Sequence, residues 1–142
     1  MSLVVDSSVA LTWCFEDERT PATLSVLDRV VQAGAVAPSL WPLEVLNALA
    51  AAERRRRLTA AQRHPLGGFL RDLPVTLDRE TAAQAWGATA RLAEQHRLTL
   101  YDASYLELAQ RLTLPLATLD KALRAAAGAA GIALRGMAED AE

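Results

Sequence analysis

An α/β fold, a three-layer α/β/α sandwich around a short parallel sheet, is what this sequence predicts, and three observations carry it. Short apolar or β-branched runs alternate with amphipathic stretches of helical period along the whole chain, the pattern of strands joined by crossover helices. The first run, Leu3-Val4-Val5, is apolar without alternation, as expected of a parallel strand covered on both faces. That run and a later one, Leu114 to Leu119, both stop on an acid, Asp6 and Asp120.

Taken in order, the first strand delivers Asp6 to its carboxyl end. Asp and Ser also favour helix caps, so Asp6 read alone fits either role. Ser8 to Phe15 follows as a short helix and Glu16 to Arg19 as a surface turn. Thr20 before Pro21 is a cap with a first-turn proline, opening a helix whose Leu24, Leu27, Val30 and Val31 fall at helical spacing. Gly34 stops it. Ala35 to Pro38 is a second strand, ended by a residue that cannot donate to a ladder. A long helix from about Leu43 to Arg57 carries Glu44 in its first turn, where free N–H groups and the dipole favour a carboxylate, with Asn47 three residues on along the same face. Thr59 to Arg71 is helical but contains Pro65, Gly67 and Gly68, which predicts a bend or two shorter pieces. Pro74 to Asp78 is a third strand. From Arg79 to Gln95 a helix is expected to turn Ala83, Trp86, Ala90 and Ala93 to the core. Leu98 to Asp102 ends in an acid that opens the helix Ala103 to Ala109. Leu114 to Asp120 is the fourth strand, Lys121 to about Ala127 a helix, and Ile132 to Leu134 a fifth strand. Residues 1–135 are expected to form one domain and 136–142 a loose C-terminal tail.

Composition narrows the chemistry. The hydrophobic share of 51% is high, yet no run approaches the roughly 18 apolar residues of a membrane span. With no basic leader before the first strand, a cytoplasmic protein without membrane contact is expected. The single cysteine, Cys14, lies in an apolar string and reads as a small buried hydrophobe. His64 and His96 are too few and too separated for a zinc site or a catalytic triad. A net charge of −2 does not advertise a polyanion binder, but a global sum hides acids gathered in one pocket.

Four acids are so placed. Asp6 and Asp120 end strands, while Glu44 and Asp102 begin helices that leave the same edge, and in such sheets ligands sit outside the carboxyl ends at the switch point. Two like charges about 4 Å apart repel by roughly 4 kcal/mol at an effective dielectric of 20, so a cluster of four either takes up protons or holds cations. An all-oxygen set without His or Cys suits a hard ion, Mg²⁺ or Mn²⁺, the ions of phosphodiester hydrolysis. No glycine-rich phosphate loop is present. A phospho-aspartate phosphatase would carry a second Asp where Ser8 stands, and the only lysine, Lys121, directly follows an acid, unlike a receiver-type phosphoacceptor. Arg54 to Arg57 span about 300° of helical arc, so at most two face one ligand; they read either as a solvated helix end or as contacts from one or two arginines to phosphate.

Four segments, Val4 to Trp13 around Asp6, Pro38 to Leu49 around Glu44, Leu100 to Ala109 around Asp102, and Leu114 to Asp120, resemble in order and spacing the PIN-domain ribonucleases, specifically the VapC-type toxins of type II toxin–antitoxin pairs. The resemblance implies a PIN-like fold and a Mg²⁺- or Mn²⁺-dependent endoribonuclease toxin, with Asp6, Glu44, Asp102 and Asp120 as catalytic and metal-holding residues. It further implies Ser8 near the metal, Asn47 and Thr118 as supports, a VapB-type antitoxin whose tail covers the site, and a homodimer; from the basic run, Arg54 and Arg57 are the candidate RNA contacts. Similar proteins often have glycine within the basic run, where this chain has only arginine. Two alternatives accompany this reading: a PIN nuclease of RNA processing without a toxin role, and a non-catalytic PIN-like protein-interaction module, whose mark would be a missing quartet member.

Overall fold

The computed structural model describes residues 1–140. Its five strands are β1 (Val4–Val5), β2 (Ala35–Pro38), β3 (Val75–Asp78), β4 (Leu116–Ala117) and β5 (Leu134–Arg135). Its helices are α1 (Ser7–Thr12), α2 (Pro21–Ala33), α3 (Trp41–Arg54), α4 (Ala60–Asp72), α5 (Thr81–Gln84), α6 (Ala90–His96), α7 (Leu100–Leu112) and α8 (Lys121–Ala129), with a 3₁₀ turn at Glu16–Glu18 and a π-helical turn at Ala85–Thr89. All strand pairs are parallel and the order is β3-β2-β1-β4-β5. The chain steps outward from β1 to β3, then returns to lay β4 on the other side of β1. That reversal is the switch point, and Val5 faces Ala117 across it.

The fold class is the expected one, a parallel sheet flanked by helices. Leu3 to Val5, Ala35 to Ala37, Leu116 and Ala117 are all buried, because helices cover both faces of a parallel sheet. Helix α7 lies against β1, β2 and β4 and gives the core Tyr105, Leu106 and Leu108. Each such large apolar side chain contributes about 1.5–3 kcal/mol on burial. Helix α2 opens on a capping box in which the Thr20 and Thr23 side chains accept from each other's backbone N–H at 3.1 and 3.0 Å. Gly34, at φ +74°, then turns the chain from α2 into β2, a backbone conformation in which a side chain is strained.

Three expectations change. Helix α4 runs unbroken through Pro65. The proline forgoes one bond, to the carbonyl four residues back, while a capping box between Thr59 and Gln62 secures the first turn. Second, the stretch after β3 is not one regular helix. Its π turn inserts a residue, so Ala83 is exposed and Trp86 is 92% exposed, while Thr89 and Leu92 take the buried side. Third, the fourth and fifth strands are short: Leu114, Pro115 and Thr118 flank β4, and β5 begins at Leu134. Of the C-terminal segment, Asp140 pairs with the Arg124 guanidinium and accepts from the Met137 N–H at 2.9 Å; residues 141–142 lie outside those described.

Candidate active site

At the end of β1 the Asp6 N–H donates to the Ala117 carbonyl at 2.9 Å, so the last ladder bond across the switch point places this side chain beside β4's exit. Asp6 precedes α1 but its carboxylate makes no cap bond. Instead Oδ2 accepts from Ser8 Oγ and Thr118 Oγ1, each at 2.7 Å. Those two hydroxyls also order β4's exit: Ser8 Oγ accepts from the Leu119 N–H at 2.9 Å, and Thr118 Oγ1 from the Asp120 N–H at 3.1 Å. Ser8 and Thr118 therefore bind the start of one strand–helix turn to the end of another.

The other three acids arrive on helix starts. Asp120 caps α8, one carboxylate oxygen accepting from the Leu123 N–H at 2.9 Å. Asp102 lies in the first turn of α7, its N–H held by the capping hydroxyl of Thr99 at 3.1 Å. Glu44 lies in the first turn of α3, where Tyr105 Oη donates to its Oε1. Among the described residues, no hydrogen bond engages Glu44 Oε2 or Asp120 Oδ1.

Electrostatics ties the four together. Burial pushes the Asp6 carboxyl above its ordinary range, against the pull of the Ser8 and Thr118 hydroxyls, and Asp120 pushes it further. Glu44 is raised by burial, eased by the Tyr105 hydroxyl, and raised again by Asp6 and Asp102. Asp102 is raised by burial and by the charges of Asp120 and Asp6, and eased by the Thr99 hydroxyl. The Tyr105 hydroxyl is pushed well up by burial and by Glu44. No Lys or Arg pairs with any of the four among the described residues. Nor are any three acid, imidazole or thiol groups there placed so that they could hold a metal ion as they stand, so the acids form at the sheet edge an open set linked by their charges. Its donors are carboxylate oxygens alone, some of them uncommitted, and that chemistry fits a hard divalent cation and not a soft one.

The remaining candidates fall elsewhere. Asn47 is exposed and makes no hydrogen bond among the described residues; it lines an apolar groove of roughly 790 Å³ between α3 and α4 that contains none of the four acids. Arg57 stacks over the Phe15 ring at 4.3 Å and pairs with Glu18 at 3.0 Å and Asp17 at 3.6 Å. Arg54 is exposed on the last turn of α3 with no carboxylate partner among the described residues.

Two features escape a reading by strands and acids alone. One is Tyr105, recoverable from its spacing three residues after Asp102, which puts both on one face of α7. The other is a second acid pair, Asp78 at the end of β3 and Glu107 in α7. Arg111 joins them, with Nη2 on Asp78 at 2.6 Å and Nε on Glu107 at 2.8 Å.

A family profile described as the PIN domain matches residues 3–129. The solved structure of PAE2754 from Pyrobaculum aerophilum is similar to this chain, with a TM-score of 0.64 and 26% identity over 89% of this chain and 84% of that one. No protein with a curated description matches.

Proposed function

Because the chain belongs to the PIN-domain family, whose members are typically metal-dependent nucleases, we propose that it is a Mg²⁺- or Mn²⁺-dependent endoribonuclease and the toxin of a toxin–antitoxin pair. The observation that carries the catalytic part is the convergence of Asp6, Glu44, Asp102 and Asp120 at one sheet edge, where neighbouring acids of the set help raise the pKa values of Asp6, Glu44 and Asp102 and no protein cation among the described residues pairs with any of the four. When bound, a hard divalent ion supplies Lewis acidity toward the phosphodiester and its attacking water. This chain's residues do the rest. Asp6, fixed by two hydroxyls, and Asp102 would hold the ion. Glu44 and Asp120 complete the anionic edge. Arg54, on a free helix end, contacts a flanking phosphate; Arg57, committed to Phe15 and two carboxylates, does so only by leaving them.

A protein partner is supported by the groove between α3 and α4. Leu43 and Leu46 are exposed at it. An antitoxin segment with apolar side chains fits there, next to the Glu44 turn. A homodimer is supported by exposed Trp86, Leu100 and Tyr101. Among the described residues no helix is long and apolar enough to cross a membrane.

The test is cleavage of single-stranded RNA with Mn²⁺. Asp6→Asn and Asp102→Asn are each expected to abolish cutting while the far-UV spectrum and melting remain those of a folded protein. A folded double variant that still cuts would refute the assignment. Growth arrest on expression, relieved by a protein that co-purifies on the α3/α4 groove, separates a toxin from an RNA-processing nuclease.

A further inference from the structure

Tyr105 is an odd residue for its place. It is completely buried in the centre of α7, where a phenylalanine would pack as well, yet its hydroxyl reaches out of that helix to Glu44 Oε1 on α3. A buried hydroxyl requires a partner, and among the described residues this is the only one it has. Glu44 likewise has no other donor there. The bond therefore joins the two helices that each bring one acid of the quartet, and Tyr105 stands on the same face of α7 as Asp102, one turn on.

The geometry of a long, half-buried glutamate explains what such a bond does. Three side-chain torsions leave the Glu44 carboxylate many positions, whereas Asp6 is short and held by two hydroxyls. A donor fixed in the packed core restricts Glu44 to one of those positions and occupies one of its two oxygens, Oε1, leaving Oε2 without a donor among the described residues. Outer partners of this kind orient metal-holding carboxylates, and their loss typically costs 10–100-fold in metal affinity.

We propose that Tyr105 is a positioning residue for the divalent cation, acting through the Glu44 carboxylate. The inference rests on the reading of the acid quartet as a metal centre. It is tested by Mn²⁺ binding to the full chain, followed by calorimetry without RNA. Tyr105→Phe removes only the hydroxyl, and is expected to weaken Mn²⁺ binding about tenfold while remaining folded; in a Glu44→Gln background the same substitution is expected to change Mn²⁺ binding less than twofold. Tyr105→Phe with wild-type affinity would overturn the proposal, as would an equal loss in both backgrounds. Should Tyr105→Phe not fold, the wild-type protein decides. Its buried Tyr105 hydroxyl proton is expected to shift in NMR spectra on adding Mg²⁺, and a resonance that stays in place while Mg²⁺ binds would overturn the proposal. If the wild-type chain binds neither ion, it is the metal-centre reading that fails, and Tyr105 is only a core residue.

Discussion

Helix α7 serves two acidic sites that solve the same problem in opposite ways. Toward its C-terminal half, Glu107 and the Asp78 of β3 share the guanidinium of Arg111, which meets Asp78 through Nη2 at 2.6 Å and Nη1 at 3.3 Å and Glu107 through Nε at 2.8 Å and Nη2 at 3.1 Å. These bonds push the Arg111 pKa further up. At its N-terminal end, Asp102 faces Asp6, Glu44 and Asp120 with hydroxyls and backbone N–H groups but no basic side chain among the described residues. The first site draws its counter-charge from within the chain, one guanidinium between two carboxylates, and ties α7 to the end of β3. The second leaves its charge uncompensated, which costs stability and is the arrangement expected where a cation comes from solution.

The contrast can be broken by substitution, beginning with the largest effect. Arg111→Met removes from two mostly buried carboxylates their only cation among the described residues and is expected to destabilise the chain by about 3 kcal/mol, read by denaturant melts at neutral pH. An unchanged midpoint would mean that the pair protonates or opens to water. Thr118→Val takes a hydroxyl from the buried Asp6 carboxylate and the acceptor from the Asp120 N–H. A loss of about 2 kcal/mol is expected, with weaker RNA cleavage. Asp102→Asn should act with the opposite sign, because it removes one of several mutually repelling charges: the metal-free variant is expected to melt above the wild type.

The same asymmetry sets a pH dependence. Asp6, Glu44 and Asp102 are raised in the folded chain, so the folded state binds more protons than the unfolded one as these groups titrate. Their contribution to stability is full below the ordinary carboxylate range and is lost as pH rises through the raised values. Melting temperature in chelator is therefore expected to fall over that window, and less steeply in Asp102→Asn. A profile identical in both proteins would separate Asp102 from the cluster.

Much of this was legible in the residues. The uniform apolar character of Leu3 to Val5 and Ala35 to Ala37 located the parallel strands, and the acids that end strands or open helices pointed to one edge. Thr20-Pro21 and Gly34 marked the limits of α2. Other features were not legible because they depend on partners distant in the chain. Pro65 predicts a break only until Thr59 and Gln62 cap the same helix. Trp86 suggests a core residue, but the π turn rotates it outward, and nothing local in Ala85 to Thr89 announces that insertion. The sharing of Arg111 between Asp78 and Glu107 crosses 33 residues, and the Tyr105–Glu44 bond 61. Asn47 satisfies the helical spacing to Glu44, yet it is exposed and lines the α3/α4 groove.

The most direct measurement is the melting temperature of the metal-free chain titrated with Mn²⁺, beside Asp102→Asn. If the quartet takes its counter-charge from solution, Mn²⁺ should stabilise the wild type, by about 2.7 kcal/mol at a hundredfold excess over Kd, and the variant much less. Equal or absent stabilisation of the two proteins would contradict the account, since four acids that gain nothing from a divalent ion are not its binding site.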